Sequence, residues 1–133
     1  VHFDGTLPAG QAVLDWLDGI DVYLQPSFKE GLPRALVEAM SRACPALAST
    51  AAGIPELLAR EDLVRPGDAN RLATLLAERL VDTAWMEASA RRNWRTASAY
   101  RADVLNARRD EFLQTFANQI FPKGIRRGEA PFE

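Results

Sequence analysis

The chain has 133 residues, enough for one domain with a modest hydrophobic core. Hydrophobic residues make up 47% of it, which sets disorder aside, and a net charge of −2 sets aside the basic footprint of a nucleic-acid-binding surface. The single cysteine, Cys44, excludes an internal disulfide and gives no metal cluster, and no apolar run approaches the roughly 20 residues that cross a bilayer.

In chain order, Val1 to Gly5 reads as a strand, so the chain opens inside an element and reads as a piece cut from a longer protein. His2 within it is structural or exposed rather than catalytic. After Pro8, a helix places Val13, Trp16, Leu17 and Ile20 on one face. Val22 to Gln25 is a short strand, with β-branched and aromatic residues between an Asp and a Pro. Pro26 to Gly31 is a loop, and Pro33 suits the first turn of a helix, where its missing N–H costs nothing. Leu36, Val37, Met40 and Ala43 then recur at helical spacing until Pro45 stops the helix. Cys44 reads as a small residue packed near that helix end. Ala46 to Ser49 begins the next strand.

Pro55 opens a short helical segment through Leu58, and Asp62 to Pro66 is a last short strand. Asp68 caps a helix whose Leu72, Leu75, Leu76 and Leu80 face the sheet. Thr83 to about Tyr100 mixes Trp85, Met86 and Trp94 with Arg91, Arg92 and Arg95, which reads as a solvated helix face with tryptophans tucked under it. A second terminal helix, Asp103 to Ile120, carries Leu105, Phe112, Phe116 and Ile120 along one stripe. The tail from Lys123 to Glu133 is rich in Gly, Pro and charge, and reads as loose.

The strand, loop, helix and strand between Asp21 and Ser49 place a loop at the carboxyl end of the first strand, where open α/β sheets bind ligands. Glu30 lies in that loop and Glu38 one to two turns into the helix. A helix rises about 1.5 Å per residue, so both carboxylates can face one crevice. Loop N–H groups and the positive helix end favour phosphate, and carboxylates accept hydrogen bonds from hydroxyls. A nucleotide sugar carries both parts.

Ser27, then Glu30-Gly31-Leu32-Pro33, then Glu38-Ala39-Met40, then Pro45, then Gly53-Ile54-Pro55-Glu56 resembles the donor-binding signature of the retaining, GT-B-fold glycosyltransferases of group 1. The resemblance implies an α/β fold: a partial Rossmann-like parallel sheet with flanking helices and two carboxyl-terminal helices. Residues 1–121 would be an incomplete carboxyl-terminal nucleotide-sugar-binding domain and 122–133 its tail. Glu30 would be catalytic, meeting the sugar hydroxyls and, with the following amides, the diphosphate. Glu38 would hold the ribose. The donor set would comprise Ser27, Glu30, Gly31, Leu32, Pro33, Glu38 and Gly53, with Gly5 beside the base or in a plain turn. The implied activity moves a hexose from a nucleoside-diphosphate sugar to an acceptor hydroxyl on a glycan, lipid or small molecule, with retention and with no cofactor or metal.

By the same resemblance Val1 to Gly5 is the third strand of that domain. The missing amino-terminal domain would hold the acceptor site, leaving this fragment inactive alone. Strands in such sheets commonly run 3-2-1-4-5-6, so the Val22 strand would expose an open edge, which a second copy or the shifted first strand would fill. No nucleic acid is expected. No signal peptide is evident, so the default location is cytoplasmic, with peripheral membrane contact open.

Two positions depart from the family's pattern. Ala43 stands where a Gly commonly ends the helix after the second glutamate, and Ala52 replaces the first of two glycines. A left-handed backbone at Ala43 would cost about 1–2 kcal/mol, and Ala52 adds a methyl where the backbone would approach the donor. Two other readings accompany the transferase: a sugar-nucleotide 2-epimerase of the same architecture, against which the glutamate pair speaks, and a non-catalytic nucleotide-binding or interaction module, which the two alanines favour.

Overall fold

The computed structural model describes residues 2–120. Two compact units make up the chain, one ending at Ser98 and the other beginning at Ala99. In the first, helix α1 (Gln11–Leu17) leads to strand β1 (Tyr23–Gln25), helix α2 (Arg34–Ser41) and strand β2 (Ala46–Ser49). Two short 3-10 turns, Ile54–Glu56 and Arg60–Asp62, then lead to strand β3 (Leu63–Val64) and helices α3 (Ala69–Leu80) and α4 (Thr83–Ser98). The three strands are parallel in the order β1-β2-β3, with Tyr23 opposite Ala46 and Ala48 opposite Leu63. This is the expected α/β architecture around a small parallel sheet.

All four residues of β2 are buried, as befits a central parallel strand covered on both faces. Leu47, Val64, Leu75 and Trp85 form one core cluster, and Leu17, Ala39 and Cys44 another. Cys44 is a buried packing residue, and burial pushes its thiol above the ordinary value. Asp68 caps α3, accepting a hydrogen bond from the Arg71 N–H at 2.9 Å.

Several expectations are corrected. Residues 2–9 form no strand, and 2–6 are exposed. A strand is stabilised by pairing with a neighbour, and none lies beside these residues in the three-stranded sheet. The outer edge of β1, expected to be open, pairs with no strand among the described residues, so the first stretch does not shift in to fill it. Trp16 is half-exposed, its indole N–H reaching Asp4 at 3.1 Å. Leu80 is exposed: at 100° per residue it stands about 80° round from Leu72, at the rim of the apolar stripe. Trp85 is buried as expected, but Trp94 is exposed, because nine residues are about two and a half helical turns and put the two rings on opposite faces.

In the second unit, helix α5 (Ala102–Ile120) matches the expected terminal helix. Phe112 and Phe116 stack with centroids 6.3 Å apart and remain exposed. The tail expected to be loose lies outside the described residues.

Both alanines that replace glycine take left-handed backbone, Ala43 at φ 59° and Ala52 at φ 41°. Around Ala43 the helix ends in a complete Schellman motif. Its N–H donates to the Met40 carbonyl at 3.0 Å, and that of Cys44 donates to Ala39 at 3.1 Å, with Cys44 and Ala39 buried together. Relief of about 1–2 kcal/mol of strain outweighs the 0.4–1 kcal/mol that glycine's freer unfolded chain costs. Ala43→Gly and Ala52→Gly are therefore each expected to raise unfolding stability by about 0.5–1 kcal/mol in denaturant titration. A loss at exposed Ala52 would show that the strain argument fails there.

Candidate donor site

Alternation along β1 sends Tyr23 and Gln25 to one face and Leu24 to the other. On the Tyr23 side, a hydrogen-bonded cluster joins the strand end to the loop. The Tyr23 hydroxyl donates to Gln25 Oε1 at 2.8 Å, and Gln25 Nε2 donates to Ser27 Oγ at 2.8 Å and to Glu30 Oε1 at 2.7 Å. Ser27 Oγ donates to the same Glu30 oxygen at 2.6 Å. The loop is tied to β2 as well, since the buried Ser49 hydroxyl donates to the Ser27 carbonyl.

Glu38 is half-buried on α2, within electrostatic reach of Tyr23. Burial, then the charges of Glu30 and Glu38 together, hold the Tyr23 phenol above its ordinary value. Pro33, buried, is the N-cap of α2 and supplies no side-chain cap, which leaves the first-turn N–H groups available to an anion. Leu32 is exposed at the loop tip.

Gly53 fixes the far wall. Its N–H donates to the Gly31 carbonyl at 3.2 Å, and a Cβ there would lie 2.7 Å from that oxygen. Its φ of −77° suits any residue, so glycine is needed for space alone. The fold thus assembles Ser27, Glu30, Gly31 and Gly53, with Glu38 alongside. Gly5 sits on the exposed amino-terminal stretch, with nothing within 4 Å of where its Cβ would be.

Tyr23 and Gln25 were not singled out from sequence, since they read as ordinary strand residues. The signal that could have found them is their two-residue spacing from each other and from Ser27. An apolar cavity of about 420 Å³ was also missed; it is lined by Leu24, Phe28, Ser49, Arg65 and Leu72 among others, on the Leu24 side. Among the described residues, no group of three or more His, Cys, Asp or Glu is placed to hold a metal ion. No helix among them is long and apolar enough to cross a membrane.

A parallel α/β sheet with this loop-and-helix crevice at the strands' carboxyl ends defines the carboxyl-terminal domain of the GT-B fold. The C-terminal domain of a glycosyl transferase group 1 family protein (LpcC) from Francisella tularensis superposes with a TM-score of 0.66 at 22% identity, covering 74% of this chain and 52% of that one, which speaks to the fold alone. Residues 1–82 match the family model described as "Glycosyl transferases group 1", and the chain belongs to that family. It is 30% identical over 131 residues to Protein CapJ of Staphylococcus aureus, covering 96% of this chain and 34% of that protein. It is 32% identical over 110 residues to a sulfoquinovosyl transferase of Arabidopsis thaliana, covering 72% of this chain and 21% of that one. The chain thus spans about a third or less of these relatives.

Proposed function

We propose that this chain is the donor-binding part of an enzyme that moves a hexose from a nucleoside-diphosphate sugar to an acceptor hydroxyl with retention, using no resident metal or cofactor. The observation that carries this reading is a Glu30 carboxylate anchored by Gln25 and Ser27 in the loop beside the uncapped start of the helix that bears Glu38. Glu38 accepts from the ribose hydroxyls, the loop amides from Gly31 through Pro33's helix start receive the diphosphate, and Glu30 meets the sugar. The acceptor, whether glycan, lipid or small molecule, is held by parts of the protein outside this chain. The left-handed backbone at Ala43 and Ala52 keeps the geometry that a glycine would take; this weakens the non-catalytic alternative those alanines had favoured.

The test is calorimetric titration of UDP, GDP and ADP into the chain and into its Glu38→Ala variant. One nucleotide is expected to bind, and the variant to bind it about tenfold to a hundredfold more weakly, the loss of a charged hydrogen-bond acceptor. Affinity untouched by Glu38→Ala sinks the ribose role. Silence from this chain and from a longer protein containing it sinks the donor reading.

A further inference from the structure

We propose that Tyr23 and Gln25 are positioning residues for Glu30, forming a relay that fixes one carboxylate oxygen and leaves the other for a sugar hydroxyl. The ligand in this statement rests on the donor-site reading above; the relay rests on geometry alone.

Hydrogen-bond accounting leads there. A glutamine amide has one acceptor oxygen and two donor hydrogens. In Gln25 the oxygen accepts from Tyr23, and the nitrogen serves both Ser27 and Glu30. Turning the amide over would set its oxygen against the acceptor-only Glu30 carboxylate, so Glu30 itself requires the observed orientation. Tyr23 donates to the amide oxygen in that orientation and so holds Gln25 in it. The phenol is protonated at neutral pH, as any tyrosine is, and so is available as a donor.

Glu30 Oε1 accepts from both Gln25 and Ser27, while Oε2 accepts from no described residue. An anchored carboxylate with one open oxygen is a single-point acceptor, held before the ligand arrives. Pre-organisation of this kind raises affinity by removing the ordering cost from the binding step. Tyr23 and Gln25 touch no ligand in this arrangement. Their effect passes through Glu30.

Two measurements on the same chain test the relay. The first is side-chain amide NMR of the ligand-free protein, with the Gln25 signal identified by its loss in Gln25→Leu. Both Gln25 amide protons are expected to exchange with water more slowly than those of the exposed Gln114 and Gln119, and Glu30→Ala is expected to abolish that protection. Tyr23→Phe, which keeps the ring, is expected to reduce it.

The second compares UDP, GDP and ADP with UDP-glucose, GDP-mannose and ADP-glucose. Gln25→Leu is expected to weaken the sugar nucleotide about tenfold, to leave the bare diphosphate unchanged, and to add nothing in a Glu30→Gln background. Gln25 protons that exchange like those of exposed glutamines overturn the relay, whatever binds. Equal losses for sugar nucleotide and diphosphate, or the same loss in both backgrounds, overturn the positioning role. Protected protons in a chain that binds no nucleotide uphold the relay and overturn the donor reading.

Discussion

Replacing Asp62 with alanine is expected to lower the unfolding free energy by about 2–3 kcal/mol, the cost of stripping partners from a buried hydrogen-bonded carboxylate. Asp62 has no exposed surface. One oxygen accepts from the Trp85 indole N–H at 2.7 Å, and the other receives the Arg92 guanidinium. The residue thus joins the turn before β3 to helix α4, and Trp85 itself belongs to the core cluster with Leu47, Val64 and Leu75. Arg92 is a third exposed and also reaches Glu61 at 3.6 Å, so it can turn to water when Asp62 is gone, which keeps the loss below that of a fully buried pair.

The charge state adds a second, independent signature. Burial outweighs the Trp85 hydrogen bond and the Arg92 charge, and the Asp62 carboxyl sits above its ordinary value of 3.8. The unfolded chain then releases this proton at lower pH than the folded one. Stability from Asp62 is complete below pH 3.8 and declines as pH rises through the folded value. Asp62→Asn, with no proton to release and an oxygen still available to Trp85, escapes that decline. Denaturant unfolding of both proteins at pH 3.5 and pH 7 is expected to show the parent's advantage over the asparagine variant shrinking toward neutral pH. An advantage that grows instead would mean that the Arg92 pair governs the site.

How much of this was legible in the sequence depends on the range of the interaction. The β1-loop-α2-β2 unit is written in short-range signals: a strand-length apolar run, a proline at each helix boundary and the helical recurrence of Leu36 and Met40. Those signals place both glutamates correctly on loop and helix. Ala43 was legible because glycine is the residue that left-handed backbone favours, and the chain took that backbone without it; the same backbone at Ala52 was not foreseen.

What could not be read is whatever needed a partner distant in sequence. Residues 2–5 have the composition of a strand, and among the described residues no strand pairs with them. Asp62 looks like a polar residue at the start of a strand, and only α4, thirty residues on at Arg92, makes it a buried tie. Tyr23 and Gln25 read as strand formers because their second role appears only when the loop folds back over the strand end. The tryptophans were half legible: the pattern indicated a buried ring beneath a charged face, and the helical phase decides that it is Trp85 and not Trp94.

Gly53→Ala is expected to weaken nucleotide binding while costing the fold about 1–3 kcal/mol, the usual penalty of forcing a methyl into filled space. A Cβ at this position meets the Gly31 carbonyl oxygen at 2.7 Å, the Gly31 carbonyl carbon at 3.5 Å and the Leu32 Cα at 3.6 Å. All three are main chain, so no side-chain rotation relieves the clash. Either the Gly31-Leu32 segment moves out or the Gly53 turn moves back, and the hydrogen bond between them lengthens in both cases. The segment that must move directly follows Glu30 and leads into Pro33 at the start of α2. Its displacement therefore disturbs the amides proposed to receive the diphosphate, while Glu38, on the helix beyond, keeps its place. The expected pattern separates Gly53→Ala from Glu38→Ala: the glycine variant loses diphosphate affinity together with thermal stability, and the glutamate variant loses affinity at nearly unchanged stability. Thermal unfolding and nucleotide titration on the same preparations distinguish them. A Gly53→Ala protein that melts and binds like the parent would refute the close approach of the two loops, and with it the wall that this glycine gives the site.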